Sequence, residues 1–245
     1  MSVGAILARP ADKARYVGVQ IIAVPVLIAL AASALSVSGW DLRIQDLFFD
    51  PTINAFPWRR QPLLEGIGHD LLKMLPIGIG FVLLFAAMAS PWVDALRRWQ
   101  PMLWTTLVAL CVGPGVITAL KQVTAAHCPW DLARYGGYAP YTHDWFATSS
   151  AQAGRCFPSG HAGAGFSLVA LSFAGWASGI TRWRWAGLII ALSAGTVFSV
   201  VRTIQGAHFV SHSLWSAAID WSCASLVFFP LLCLQRPFVS ISARK

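Results

Sequence analysis

Six long apolar runs, separated by short polar segments, constrain the fold of this chain more than any other feature. A helix needs about 20 mainly apolar residues to cross a hydrocarbon core about 30 Å thick, and each run is close to that length. The runs are residues 17–37, 71–90, 103–121, 161–180, 185–201 and 209–234. They predict an all-α integral membrane bundle of six helices.

The composition supports this class of protein. The 245 residues are 56% hydrophobic and 11% charged, whereas soluble domains carry roughly a quarter charged residues. A net charge of +8 would suggest nucleic-acid binding in a soluble chain, but in a membrane protein Lys and Arg follow the orientation of the helices. No nucleic-acid partner is therefore expected. Because no internal repeat or low-complexity tract is present, residues 1–245 are interpreted as one transmembrane domain.

The first apolar run has a second interpretation. Ala32-Ser33-Ala34 resembles the small-residue site at which a signal peptide is cleaved. The run from Val17 to Val37 is long for a signal peptide, so a membrane span is favoured. Residues 38–70 then mix charges with aromatic residues and three prolines. This mixture is typical of a segment at the lipid–water boundary, and a plain surface loop is the alternative.

The basic residues predict the orientation of the bundle. Ten of them fall in the N-terminal segment, in residues 91–102 and 181–184, and in the C-terminal tail, and the other eight lie on the opposite side. The positive-inside rule therefore predicts that both termini are cytoplasmic. Three of the eight, Lys121, Arg155 and Arg202, lie in short polar stretches at the outer ends of helices.

Those stretches, residues 121–129, 154–161 and 202–212, predict a phosphate site. Three cations in a partly desolvated pocket need an anionic partner. Phosphate is the natural candidate, because Arg binds its oxygens in a bidentate manner. For any one of these cations, a side chain that extends from the apolar region to water is the simpler explanation.

The same stretches contain residues suited to catalysis. Pro158-Ser159-Gly160 is typical of a helix start, where Ser caps the helix and free N–H groups point towards an anion. His161 and His208 lie at outer helix ends, and a His with a near-neutral pKa can act as nucleophile or general acid in phosphoryl transfer. A single interfacial His is usually structural, but here two lie beside cations.

Taken together, the three stretches resemble the type 2 phosphatidic acid phosphatase family, whose fold is shared with vanadium-dependent haloperoxidases. The family signature is Lys, six residues, Arg-Pro; then Pro-Ser-Gly-His; then Ser-Arg, five residues, His, three residues, Asp. In this chain the three parts occur in order as Lys121 to Pro129, Pro158 to His161 and Val201 to His212. The resemblance covers residues 121–212 and implies the family's integral-membrane branch.

The resemblance implies a role for each matching residue. His208 is expected to attack phosphorus and form a phosphohistidine, and His161 is expected to protonate the leaving group. The phosphoryl oxygens are expected to bind Lys121, Arg202, Ser159 and the backbone of Gly160. Water then completes the hydrolysis. No metal and no other cofactor is implied.

This chain departs from the signature at three positions. Cys128 replaces the motif arginine, and we expect Arg155 to take its place at the phosphate. His212 replaces the aspartate that orients the nucleophile; a helical turn would let it accept a hydrogen bond from His208. Asp131 is the favoured substitute acid, with Asp144 and Asp220 as alternatives. The third change, Val201 for Ser, removes at most one hydrogen bond.

Two cysteines and a long loop complete the predicted site. Cys128 and Cys156 are the two of five cysteines outside the predicted spans, and on an outer face disulfides persist. We expect a bridge between them that fixes Arg155, with two free thiols as the alternative. The outer loop from Trp130 to Arg155, between helices 3 and 4, is interpreted as a lid that selects the lipid head group.

The predicted function is hydrolysis of a phosphate monoester or diphosphate carried by a membrane lipid. The resemblance implies phosphatidic acid, phosphatidylglycerol phosphate, undecaprenyl diphosphate or lipid A phosphates as substrates. We expect a bacterial inner membrane with the active site on the periplasmic face, because the three stretches lie on the predicted outer side. The alternatives are a lipid phosphotransferase with the same intermediate and a non-catalytic lipid-phosphate binder or transporter.

Overall fold

A computed structural model describes residues 6–66, 72–142, 144–146 and 154–234, and in these ranges the chain is helical with no β-strand. The helices, numbered here in chain order, are α1 (Pro10–Val37), α2 (Trp40–Asp46), α3 (Pro62–Glu65), α4 (Leu72–Ala89), α5 (Asp94–Arg97), α6 (Gln100–Lys121), α7 (Gly160–Phe166), α8 (Val169–Ala177), α9 (Thr181–Ile204) and α10 (Val210–Leu234). Seven residues of α1, Val17–Ala23, form a π-helical segment.

Four of these helices are long and apolar enough to cross a membrane: α1, α6, α9 and α10. Met74–Ala89 is a shorter apolar helix. The predicted helix at 161–180 is interrupted between α7 and α8. The Ser167 hydroxyl there donates to the carbonyl of Ala164 at 2.8 Å, which competes with the regular helical bond. The all-helical class is thus confirmed, and the four spans support an integral membrane protein.

The surfaces of α1 and α4 also fit a membrane. Leu27, Leu30, Phe81 and Val82 are each more than half exposed on the protein surface. Large contiguous apolar patches are rare on soluble monomers, whereas lipid accepts them without loss. These helices therefore present lipid-facing sides.

Helix α10 forms the centre of the bundle and packs against α1, α6, α7 and α8. The apolar core includes the fully buried rings of Tyr16, Phe173 and Phe228. The Tyr16 hydroxyl donates to the carbonyl of Ser225 at 2.8 Å, which gives the polar atom of this buried ring a partner.

The end of the bundle that carries Lys121, His161 and His208 is called the motif end below. It is covered by a second cluster of buried residues, consisting of Phe56, Leu132, Tyr135, Ala139 and Phe209. Residues 38–70 were expected at the lipid–water boundary, and of these Leu42, Phe48, Phe49 and Phe56 pack in or against this cluster. The loop after Trp130 is also fixed at its start, because Arg134 pairs with Asp46 at 2.8 Å. Residues 143 and 147–153 of the predicted lid lie outside the described residues.

A glycine turn positions His208 at this end. Gly206 has φ of +70°, which L side chains rarely adopt, and a Cβ there would collide with the ring of Phe56. Its carbonyl accepts a hydrogen bond from the amide of Trp130 at 2.9 Å. The turn after α9 is thereby bound to Trp130, the residue that follows the first motif stretch.

Candidate functional site

His208 lies between α9 and α10 and is only 3% exposed. The side-chain amide of Gln45 donates to the His208 carbonyl at 2.9 Å, and the His208 amide donates to the carbonyl of Arg202 at 3.3 Å. Both backbone groups of the residue are thus held by hydrogen bonds. The backbone that carries the imidazole is therefore held in place.

Charged and titratable side chains surround this imidazole. Burial is the main cause that lowers the pKa of His208 well below its usual range, and the neighbouring His212, Lys121, Arg202 and His161 lower it further. The structure therefore brings residues from all three sequence stretches together around one histidine. A neutral imidazole with a free electron pair is favoured there.

Lys121 ends α6 beside the start of α7. Its ammonium nitrogen lies 3.8 Å from the position that a Cβ on Gly160 would take. Within the described ranges Lys121 forms no ion pair, and its side chain is half-buried. A half-buried cation without an acidic partner is suited to an incoming anion.

Arg202 lies at the end of α9 and is partly bound by neighbours. Its Nη1 donates to the side-chain oxygen of Gln205 at 2.9 Å, and its guanidinium lies 5.6 Å from the ring centre of Trp130. Its Nε is buried without a hydrogen-bond partner. The planar guanidinium is held by its neighbours and keeps an unused donor.

Ser159 is fully buried, and its side chain caps α7 by accepting from the amide of Ala162 at 3.4 Å. Its backbone is fixed to α10, because its amide donates to the His212 carbonyl at 3.2 Å and its carbonyl accepts from the Ser216 hydroxyl at 2.8 Å. These bonds hold the start of α7 against α10. Gly160 and His161 follow directly, and His161 is half-buried.

A long apolar groove opens beside these residues between α4, α6 and α7, and its volume is about 840 Å³. Lys121, Gly160 and His161 line it at the motif end. It extends along α6 as far as Leu107, which is about 21 Å away at the helical rise of 1.5 Å per residue. Pro76, Gly80, Leu84 and Leu110 are among its apolar walls.

Cys128 and Cys156 form a disulfide in the structure. Cys156 is fully buried, and its Sγ lies 3.4 Å from Nδ1 of His208. Arg155, the residue expected to replace the motif arginine, is exposed and makes no side-chain hydrogen bond or ion pair with the described residues. The bridge therefore joins the first two motif stretches, and the role of Arg155 at the phosphate stays a prediction.

None of the acids proposed to orient His208 contacts it. Asp131 makes no side-chain hydrogen bond with the described residues; instead its backbone carbonyl accepts from Tyr138 and Ala139. Asp144 accepts from the hydroxyl of Thr142. Asp220 is buried in α10, with neither carboxylate oxygen hydrogen-bonded.

His212 does not accept a hydrogen bond from His208 either. The two ring centres are 6.0 Å apart, and Nδ1 of His212 is buried without a partner. The ring packs instead against Phe157 and Phe209, at 5.3 and 5.2 Å between centroids. It lines a second cavity of about 320 Å³, which Trp145 and Trp215 also line.

Sequence reasoning missed two supporting residues in α2. Asp41 is 1% exposed and accepts hydrogen bonds from the amide and the hydroxyl of Ser211. Burial raises the pKa of Asp41, which its bonds to Ser211 oppose. Gln45, four residues on, holds the carbonyl of His208. Asp41 and Gln45 are four residues apart and so lie on one face of α2, and this spacing could have identified them from the sequence.

One group of described side chains has the spacing of metal ligands. The donor atoms of Cys128, Cys156 and His208 lie within 4.8 Å of one another. The thiolate is the form of cysteine that binds metals, and the disulfide leaves neither sulfur as a thiolate. The bonded pair is therefore not suited to hold an ion.

Comparison with known proteins identifies the family. A family model described as the PAP2 superfamily matches residues 102–230, which is more than half of the chain. The chain belongs to the PAP2 superfamily. No curated protein and no solved structure matches it in the corresponding searches. The matched segment of this PAP2 chain contains all three motif stretches, and membership supports phosphatase activity on phosphate esters at a membrane.

Proposed function

We propose that this PAP2 protein is a membrane lipid phosphatase that hydrolyses a phosphate monoester or diphosphate of a lipid through a phosphohistidine intermediate. The apolar groove is the observation that carries the proposal. It meets Lys121, Gly160 and His161 at one end and continues about 21 Å along α6. A lipid tail fits such a groove while its phosphate stays at the motif end.

The unpaired cations support the phosphate end of this arrangement. Lys121 and Arg202 have no ion pair with the described residues. Both lie close enough to His208 to lower the pKa of its imidazole. A phosphate group between them would receive charge-assisted hydrogen bonds, and these strengthen as negative charge builds in the transition state.

The chemistry follows from the two ring nitrogens of His208. Nδ1 faces the sulfur of Cys156, so Nε2 is the nitrogen available to attack phosphorus. The bond from phosphorus to the lipid oxygen breaks as His161 donates its proton to that oxygen. Water then gives a proton to His161 as its oxygen attacks the phosphohistidine, which releases phosphate and regenerates both histidines.

Placement in the cell is part of the same proposal. Six membrane spans would arise if Met74–Ala89 and the interrupted segment 160–177 cross the membrane together with the four long helices. The basic residues then favour cytoplasmic termini and an active site on the outer face. In a bacterial inner membrane that face is periplasmic.

The experiment uses the purified protein in detergent with four lipids: phosphatidic acid, phosphatidylglycerol phosphate, undecaprenyl diphosphate and lipid A. Glycerol 3-phosphate serves as the tail-free control. We expect phosphate release from at least one lipid, little from glycerol 3-phosphate, and loss by orders of magnitude in His208→Ala. His127→Ala is the control, since this half-buried histidine also lies at the motif end.

Each other outcome excludes a part of the proposal. No phosphate release from any lipid, with binding retained in His208→Ala, would favour a non-catalytic lipid-phosphate binder. Phosphate that appears only on a second lipid, and never in water, would favour a phosphotransferase. Equal rates with glycerol 3-phosphate and with lipids would contradict the role of the groove.

A further inference from the structure

The nucleophile proposed above lacks the carboxylate that usually orients a reactive histidine. His212 stands four residues after His208, but no hydrogen bond joins the two rings. The contact that the structure gives to Nδ1 of His208 is the Sγ of Cys156 at 3.4 Å. A sulfur atom therefore occupies the position of an orienting group.

That sulfur is itself tightly held. The amide of Cys156 donates to the carbonyl of Ala126 at 3.1 Å, and its Sγ lies 3.1 Å from the carbonyl oxygen of Ala207. The disulfide to Cys128 fixes it from a third side. Both Cys156 and Ala207 are fully buried. The position of this sulfur relative to the backbone of His208 is therefore fixed.

A disulfide sulfur carries no hydrogen, so at Nδ1 it can only accept a hydrogen bond. The imidazole tautomer that this contact favours has its proton on Nδ1 and its electron pair on Nε2. This is the tautomer that a nucleophile needs. A thiol at the same place has a hydrogen and can donate it to Nδ1, which favours the opposite tautomer.

We propose that the disulfide between Cys128 and Cys156 is the positioning group of His208 and makes the site sensitive to reduction. The inference rests on the proposed function. A dithiol reductant supplies two electrons and two protons, breaks the sulfur–sulfur bond, leaves two thiols and becomes a disulfide itself. Cys128 is half-buried, which gives the reductant access. Reduction then releases Cys156 and reverses the hydrogen bonding at Nδ1.

The first test measures kcat and KM for the lipid phosphate that the oxidised protein hydrolyses. The background protein has Cys111, Cys223 and Cys233 replaced by alanine, so that dithiothreitol acts on one pair, and its oxidised form is the reference. We expect reduction to lower kcat by about 10²-fold, the loss produced by a misplacement of about 1 Å, with a much smaller change in KM. Unchanged kcat in fully reduced protein would overturn the proposal.

A chemical rescue separates positioning from simple crosslinking. In Cys128→Gly the thiol of Cys156 is free, and methyl methanethiosulfonate converts it to a methyl disulfide with release of methanesulfinate. The methylthio group replaces the sulfur and Cβ of Cys128 but joins no chain segments. We expect kcat to rise towards the reference while the thermal midpoint stays low. If the protein with the methylthio group remains as slow as the thiol form, the bridge acts only as a crosslink.

A spectroscopic readout works without turnover. Histidine labelled with ¹⁵N reports which ring nitrogen carries the proton, and His208→Ala identifies the signal among the six histidines. We expect the proton on Nδ1 in the oxidised protein and a different tautomer after reduction. This shift in a protein that hydrolyses no lipid phosphate would overturn the proposed function alone. An identical tautomer in both redox states would overturn the positioning role.

Discussion

The two sides of His208 are built differently. On one side, here called the groove side, Lys121 and His161 lie at the end of an apolar groove, and Lys121 has no ion pair with the described residues. On the other, the support side, Cys156 contacts the ring, Gln45 holds the backbone, and Asp41 holds Ser211. On the first side the charge of Lys121 has no acidic partner among the described residues, whereas on the second side the Gln45 amide, Asp41 and Ser211 are hydrogen-bonded. The first is suited to an incoming ligand and the second to rigidity.

This contrast predicts different consequences for mutations on the two sides. Changes on the groove side should alter the rate or the choice of substrate with little loss of stability. Changes on the support side should lower stability, with effects on rate only through the position of His208. The exception is the cystine, which contacts the nucleophile directly.

The largest expected effect is on the groove side, at His161. If His161 is the general acid, His161→Ala should lower kcat by about 10²–10⁴-fold for a lipid alkyl phosphate. The aryloxide of an aryl phosphate can leave without a proton, so kcat for an aryl phosphate should fall far less. The measurement compares both substrates in both proteins, and equal losses would contradict the acid role.

A blocked groove should have the next largest effect. Gly80 lines the groove, and Gly80→Leu places a bulky side chain where a lipid tail would lie. We expect kcat/KM for a long-chain phosphate to fall about tenfold or more, because an apolar contact in a pocket is worth about 1–3 kcal/mol.

A smaller substitution at the same position, Gly80→Ala, is the control for this variant. A Cβ on Gly80 makes only an ordinary contact, 3.6 Å from Leu110, so Gly80→Ala should retain activity. Turnover of a soluble short-chain phosphate should be similar in all three proteins. If that turnover also fell in Gly80→Leu, the variant would have disturbed the fold and not the tail site.

The pH dependence should show a smaller change. Burial, then His212, Lys121, Arg202 and His161, lower the pKa of His208, so its ring stays neutral as the pH falls below its usual value near 6.5. Lys121→Met removes one of these cations, so the pKa of His208 should rise. The acid limb of the pH–rate profile should therefore move to higher pH.

The same substrate serves for both profiles, so its own ionisation cancels in the comparison. Residual activity is sufficient, because the position of the limb is measured and not its height. A limb that stays in place or moves to lower pH would show that His208 does not set it.

The smallest effect on catalysis is expected on the support side. Asp41→Leu leaves the buried amide and hydroxyl of Ser211 without an acceptor, which costs about 1–3 kcal/mol of stability. Asp41→Asn keeps one acceptor and should lose less. The measurement is the thermal midpoint of both variants in detergent. A large fall in kcat without a lower midpoint would place Asp41 in the chemistry.

The sequence alone determined the helical class, the membrane character and the three motif stretches. These depend on local properties: the length of apolar runs and fixed spacings such as Lys121 to Pro129. The family follows from the same spacings, and the match over residues 102–230 shows it. The interruption at Ser167 was not predicted, because the apolar run of residues 161–180 continues across it.

Only the tertiary structure decided what surrounds His208. Asp41 and Ser211 are 170 positions apart, and Cys156 and His208 are 52 apart, so no local pattern indicates either contact. Sequence reasoning searched for a carboxylate near the motifs and selected Asp131, whereas packing brought a sulfur to Nδ1. The groove arises in the same way, from the space that α4, α6 and α7 leave between them. Spacing along the chain fixes which residues are available, and the packing of distant segments fixes which of them meet.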